Sequence, residues 1–334
     1  MNRSRRTAHD VWRGIAGVGA LACTGSLVLL AGCQTTGDGA TAAAEVRAAP
    51  GVPPPSYDEV AAAYNARVAV FERVWARVTA VYRGVDDAGN RLREQAEGHI
   101  QIERPDRVAL SLGKLGETYL YLGSNGSRYW WIDLVDSDRK VALIGTHAEA
   151  TPERVRALGL PVRPPELVET IGILRLPETG GTVEPDTRPG APAGGYVVTA
   201  PGRRGPVRLW FAPDGAPDEA GVAAGAGVEP TRIALLDGAG EERLAATLEA
   251  YQRFEGVDEP RAHRLPRRVR VESDRFEGWA RITMYDPQRR SINQLVFDPE
   301  GLFGRLGVNE VIDLDERFER AAAEVGVRMD GADR

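Results

Sequence analysis

The sequence is poor in the residues on which many enzymes and metal sites depend. Only two of its 334 residues are cysteine and four are histidine. Cys23 and Cys33 both lie near the N-terminus, so the body of the chain has neither a disulfide framework nor a cysteine-based zinc site. His9, His99, His147 and His263 are dispersed, and no HExxH, GxSxG or glycine-rich phosphate loop accompanies them. Positive charge is not in excess: 42 Lys and Arg stand against 48 Asp and Glu, a net charge of −6. No whole-protein field exists to hold phosphate backbones, which argues against nucleic acid as a partner. No apolar run reaches the roughly 20 residues of a bilayer-spanning helix. Glycine (38) and proline (22) are plentiful but lack a Gly-X-Y period, which excludes collagen and predicts exposed loops. With 43% hydrophobic residues, the chain can bury a substantial core.

What is present begins with an address. Arg3, Arg5, Arg6 and Arg13 precede an uncharged run from Ile15 to Leu30, followed by Ala31, Gly32 and Cys33. This is the outline of a secretory signal peptide over residues 1–32. Removing it deletes four arginines and Asp10 and takes the net charge from −6 to −9. Residues 33–55 hold Thr, Gly, Ala and Pro with few large apolar groups; they cannot offset the entropy of ordering and are predicted to be a flexible tether. A single domain is expected over 56–334, with Gly/Pro-rich loops at 177–195 and 213–230.

Ser56 and Glu59 have the spacing of a capping box. Val60, Tyr64, Val68, Phe71, Trp75 and Val78 then recur at helical intervals, predicting one long amphipathic helix. Further on the period becomes two. Ile100 and Ile102 alternate with polar residues, Arg104-Pro105-Asp106 breaks the chain, and Val108, Leu110 and Leu112 alternate again. Tyr119 to Leu122 and Arg128 to Ile132 flank Asn125-Gly126, predicting a hairpin with positive φ angles at its turn. Proline-led helix starts appear at Thr151-Pro152 and Pro164-Pro165. Strands are expected at 196–200, 206–212, 231–236, 243–254, 267–273, 278–285 and 291–297. Short connections imply antiparallel neighbours, so the fold class is α+β with a long meander.

Two groups of motifs resemble known families. Leu30-Ala31-Gly32-Cys33 resembles the bacterial lipobox, which implies lipid attachment at Cys33; Gln34 after it is similar to the outer-membrane sorting signal. The run Gly98-His99-Ile100-Gln101-Ile102-Glu103-Arg104-Pro105, the aromatic strand Tyr129-Trp130-Trp131-Ile132, and the later strands around Val269 to Val271 and Ala280 to Met284 resemble LolA/LolB-like lipoprotein carrier domains. The resemblance implies a large curved antiparallel sheet, an incomplete β-barrel, with an N-terminal helix and short lid helices at 152–158 and 165–171. It implies an apolar cavity for acyl chains of lipoproteins or lipids, in a lipoprotein of the outer membrane facing the periplasm. Alternation nominates Ile100, Ile102, Val108, Leu110, Leu112, Tyr119, Tyr121, Trp130, Val269, Val271, Ile282 and Met284 as the inward set, as cavity lining or as packed core. Leu115, between Gly113 and Gly116, is a candidate membrane-contacting residue.

No catalytic residue, cofactor or metal is expected. Asp133, Asp136 and Asp138 crowd one turn but lack the glycine and distal glutamate of an EF-hand. Arg203-Arg204, Arg267-Arg268-Arg270 and Arg289-Arg290 are expected on the solvent side of strands, with anionic headgroups as an alternative partner. The rival reading is an envelope sensor or structural lipoprotein whose sheet binds a protein partner.

Overall fold

A computed structural model describes residues 54–85, 91–151, 163–213, 228–256, 263–273 and 278–320. The signal segment, Cys33, the tether up to residue 53 and the helix expected at 152–158 lie outside the described residues.

Helix α1 (Tyr57–Val68) starts at the predicted capping box: the Glu59 backbone N–H donates to Ser56 Oγ at 3.4 Å, and the Ser56 N–H donates to Glu59 Oε2 at 2.9 Å. The helix ends ten residues earlier than its apolar spacing suggests. From Arg73 the chain is strand β1 (Arg73–Val85), in which Val74, Ala76 and Val78 alternate inward. Phe71 is buried in the connection, and Trp75 lies on the other face of β1 from Val74. β1 is followed by β2 (Arg91–Glu103), β3 (Arg107–Lys114), β4 (Glu117–Ser124), β5 (Arg128–Asp133) and β6 (Val141–Thr146). Helix α2 (Pro164–Thr170) leads to β7 (Thr182–Pro185), β8 (Tyr196–Gly202), β9 (Gly205–Phe211), β10 (Pro230–Leu236), β11 (Glu242–Arg253), β12 (Arg264–Ser273) and β13 (Gly278–Gln288). The strand expected at 291–297 is instead a 3₁₀ turn (Gln294–Phe297), which leads into α3 (Pro299–Leu306) and β14 (Glu310–Asp313).

The strands form one open sheet in the order β14-β6-β5-β4-β3-β2-β1-β13-β12-β11-β10-β9-β8-β7. Two meanders, β1–β6 and β7–β13, join at a central seam where β1 pairs with β13. Every pairing is antiparallel except β14 with β6. The crossing from one arm to the far edge of the other runs through α2, which touches β3, β4 and β5 on one arm and β10 on the other. The sheet therefore curls around α2, and because β7 and β14 do not pair, the barrel is incomplete.

Register explains the core. Leu143, Trp131, Leu122, Leu110, Ile100 and Ala76 are successive cross-strand partners and form one inward row. They share a cluster with Tyr64 and Val68 of α1, with Val168 of α2, and with Leu209, Ile233, Val269 and Met284 of the second arm. Each fully buried Leu, Ile, Val or Met among them contributes about 1.5–3 kcal/mol. A second cluster, of Ala109, Tyr121, Trp130, Ile132, Ala142 and Ile144, lies on the opposite face under Phe297 and Leu302.

Candidate functional site

A cleft of about 750 Å³ opens where the inner face of β8–β10 passes over the β2–β3 turn. Its apolar side is formed by Tyr64, Leu174, Leu176, Val207, Leu209 and Ile233, and its polar rim includes Arg73, Arg104, Glu169, Arg175 and Arg203. Tyr64 comes from α1 and Glu169 from α2. Leu174 to Leu176 belong to the segment that leaves α2, and this segment is tied back to α1. The Asn65 side chain accepts from the Leu176 N–H at 2.8 Å and donates to its carbonyl at 2.9 Å. Tyr57 donates to Pro177 O at 2.7 Å, and Arg67 to Gly172 O at 3.1 Å. Arg104 donates from Nη1 to Ile173 O at 3.1 Å and from Nη2 to Ala69 O at 3.2 Å, which leaves its buried Nε–H without a partner.

Two contacts bridge the arms beside the cleft. Arg203, in the β8–β9 turn, pairs with Asp106 in the β2–β3 turn. Arg204 Nη2 lies 3.1 Å from His147 Nδ1, while His147 Nε2 is 2.9 Å from Asn125 O and 3.0 Å from Ser124 Oγ. This pattern assigns the proton to Nε2, with Nδ1 accepting from Arg204. Burial, reinforced by the Arg204 charge, pushes the His147 pKa below its ordinary value and keeps the ring neutral.

Deeper inside sits a buried ion triad. Glu166 Oε1 accepts from Arg163 Nη2 at 2.7 Å and from Arg243 Nη1 at 2.5 Å. The Glu166 and Arg163 side chains are 1% exposed and that of Arg243 is 5% exposed. Burial alone would raise the Glu166 pKa; the two guanidinium groups and the hydrogen bonds from Arg163 outweigh it and hold the carboxyl below its ordinary range. Arg243 reaches the interior through a β-bulge. Leu235 pairs with Leu244 and Leu236 with Glu242, so Arg243 is the extra residue, turned inward. Glu169, one turn along α2, faces the cleft. Burial first and the Glu166 charge second raise its pKa.

No known family profile and no curated protein matches the chain. Solved structures do resemble it. A Vibrio parahaemolyticus domain described as a candidate outer membrane lipoprotein-sorting protein aligns at 10% identity over 73% of this chain and 97% of its own, with a TM-score of 0.47. A LolA superfamily protein from Nitrosomonas europaea aligns at 11% identity over 74% and 99%, with a TM-score of 0.43. A DUF1329 family protein from Desulfovibrio piger aligns at 10% identity over 73% and 97%, with a TM-score of 0.40. The architecture stands on the strand order given above, not on these likenesses.

The residues nominated from the sequence are not the lining of the cleft. Ile100, Ile102, Val108, Leu110, Val269, Val271, Ile282 and Met284 are buried in the inner cluster, and Leu112 packs against it half-buried. Tyr121 and Trp130 lie on the opposite face beneath the 3₁₀ turn and α3, and half-buried Tyr119 shares that face by alternation. The inward residues of this hairpin are Leu120, Leu122, Tyr129 and Trp131. Both faces of the hairpin are apolar and buried, which erases the alternation and hides its phase. The hairpin turn also differs from expectation. Neither Asn125 nor Gly126 has positive φ; instead the Asn125 side chain accepts from the N–H groups of Ser127 (3.0 Å) and Arg128 (2.9 Å). Leu115 projects fully from the two-residue β3–β4 turn, at 102% relative exposure, with φ of 53° and Gly116 following at 87°. The basic pairs are divided: exposed Arg203 and half-buried Arg204 bridge the arms, while Arg267, Arg270, Arg289 and Arg290 face solvent as expected. α2 matches the predicted helix closely, but the ion triad and its buried side chains pin it between the arms, where a loosely packed lid was expected.

Proposed function

We propose that the protein is a lipid-anchored bacterial envelope protein that shelters an acyl chain of a lipoprotein or lipid in the cleft and passes it on at the outer membrane, without catalysing a reaction. The observation that carries this reading is the cleft itself, an apolar recess between two arms of an unclosed sheet. Its volume lies within the range of small-molecule sites, and each methylene moved into it from water contributes about 0.8 kcal/mol. Beside the cleft, among the described residues, the two arms are bridged by one partly exposed ion pair and one hydrogen bond to a neutral imidazole, contacts weak enough to open and close there during loading and release. The lipobox ending at Cys33 supports anchoring, and the fully exposed Leu115 is suited to touch a bilayer.

The test is mass spectrometry of lipid extracted from the purified full chain. One acyl species per protein, lost when Leu209→Trp fills the cleft, is the expected result. Equal lipid in both proteins would refute the cleft as the site. Lipidation is tested separately: Cys33→Ser should abolish metabolic labelling by an alkynyl fatty acid. Leu115→Asp should lower binding to phosphatidylglycerol vesicles with lipid content unchanged.

A further inference from the structure

The β8–β9 turn is both a wall of the cleft and one half of the bridge between the arms. Pro201, Gly202 and Arg203 line the cleft, while Arg203 reaches across to Asp106 and Arg204 to His147 on the other arm. Pro201, Gly202 and Arg203 are exposed and Arg204 is half-buried, so this turn can swing outward and widen the cleft without taking a core side chain with it.

The Arg204 contact exists in only one protonation state of the ring. A guanidinium group donates and never accepts, so the 3.1 Å contact between Arg204 Nη2 and His147 Nδ1 requires a bare Nδ1. Protonation turns that nitrogen into a second donor and sets a cation against a cation. The ring itself is fixed: it stacks on buried Tyr129, with centroids 5.7 Å apart, and Nε2 donates to Asn125 O at 2.9 Å. The partner that yields is therefore Arg204, on the turn. The charged groups around the ring do not reverse this. Arg163, at the N-cap of α2, adds a second positive charge, and Asp106, which opposes it, is paired with Arg203. Asp315, just after β14, accepts from the Thr146 N–H at 3.0 Å and its hydroxyl at 2.9 Å. Glu166 lies between Arg163 and Arg243, and burial holds Glu169 toward neutrality.

We propose that His147 is a pH-sensitive latch of the cleft: the neutral ring holds Arg204 and keeps the β8–β9 turn against the first arm, and the protonated ring lets it go. This rests on the acyl-chain reading above and adds the condition for release. Closure is complete above the ordinary histidine value of 6.5, weakens as the pH falls below it, and is weakest below the lowered value of the closed form. The bond lost has a charged donor, so the open form should gain about tenfold over the closed one.

The test measures the distance between the arms by pulsed electron resonance on the full chain in phosphatidylcholine nanodiscs. Nitroxides are attached to p-acetylphenylalanine in place of Gly126, in the β4–β5 turn, and Gly238, in the β10–β11 turn; both sites are exposed, with nothing within 4 Å of an added Cβ. The ratio of long to short distances is expected to rise about tenfold between pH 7 and pH 5. His147→Asn keeps an acceptor that does not titrate and should show the same distances at both pH values. Arg204→Met removes the donor; it should be open at both, and should raise the pKa of His147 followed by NMR. Glu169→Gln, which removes the other titrating group felt by Arg204, should keep the wild-type response. Identical wild-type distances at the two pH values, a response that survives in His147→Asn, or one that is lost in Glu169→Gln overturns the latch. Mass spectrometry of lipid in the same samples separates the two readings: arms that open at pH 5 through His147 while bound lipid stays constant leave the latch standing and count against the acyl-chain reading of the cleft.

Discussion

Replacing Glu166 with glutamine removes one negative charge from between two buried guanidinium groups and changes little else in size. In the native protein the Glu166 carboxylate meets Arg163 at 2.7 Å and Arg243 at 2.5 Å, with all three side chains at most 5% exposed. Glutamine leaves both cations desolvated without compensation, and breaking a buried pair in this way costs about 3–5 kcal/mol. For a domain of this size each kcal/mol lowers the midpoint by about 2–4 °C, so Glu166→Gln should melt about 6–20 °C early. Urea unfolding followed by the fluorescence of Trp75, Trp130, Trp131, Trp210 and Trp279 measures the loss directly. The triple variant Arg163→Met, Glu166→Leu, Arg243→Met removes all the charge and should recover most of that stability, because apolar isosteres avoid the desolvation cost. The pH dependence has a fixed sign. The folded carboxyl has a lowered pKa, so its stabilisation is complete above the ordinary value of 4.5 and is lost as pH falls through the folded value. The difference between wild type and Glu166→Gln should therefore be full at pH 7 and shrink in acid. A loss below about 1 kcal/mol at pH 7, or a triple variant as unstable as the single one, would refute the claim that the triad is a charge-compensated unit.

Other variants probe separate features. Glu169 behaves oppositely to Glu166: its folded pKa is raised from 4.5, so stability falls as pH rises above that value, and Glu169→Gln should be more stable than wild type at pH 7 but not at pH 4. At Gly123 an added Cβ would lie 2.2 Å from the Trp130 ring, so Gly123→Ala should cost about 1–3 kcal/mol and alter the near-ultraviolet circular dichroism as the indole shifts. Leu115 holds φ at 53° with its side chain in solvent, so Leu115→Gly should raise the urea midpoint, by about 0.5–1 kcal/mol of stability. Loss of stability in that variant would mean that the leucine has a partner in the fold.

The elements that could be read from the sequence are those where one face is wet. Ile100 and Ile102 alternate with His99, Gln101 and Glu103 because the outer side of β2 is polar, and the capping box at Ser56 works through local spacing alone. Two failures have a common cause in apolar residues placed outside a simple period. Phe71 and Trp75 continue the spacing of α1 by coincidence, one buried in a connection and the other on the outer face of β1, so the helix seemed ten residues too long. Ile292 and Phe297 look like strand residues but serve the 3₁₀ turn and α3, which cover the outer face. A helix signal was present there, Asp298 as N-cap with Pro299 at the first position and Gly307 as the left-handed terminator, though Gly301 and Gly304 weaken its propensity. That cover is also what makes Tyr121 and Trp130 as buried as Leu120 and Leu122, and so hides the phase of the β4–β5 hairpin.

The cleft could not be read in the same way, because no single element contains it. Tyr64, Arg104, Glu169, Arg175, Leu209 and Ile233 come from a helix, a turn, a second helix, a connection and two strands, and only the curl of the sheet around α2 brings them together. Period analysis also assigns charge to solvent by default, a rule that fails where backbone irregularity turns a strand residue around. Arg243 sits beside Leu244 in a strand that would otherwise place it outside. The one-residue bulge opposite Leu235 and Leu236 rotates it inward, where Glu166 was already committed by its own capping contact with the Arg163 backbone. The carboxylate on α2 and the guanidinium on β11 are thus interdependent: without Arg243, Glu166 would retain one arginine. Without α2, the bulge would bury a cation with no partner. The position of α2 between the two arms is therefore held by two things at once, the apolar side chains of Leu167 and Val168 in the core and a charge pairing that no hydrophobic pattern announces.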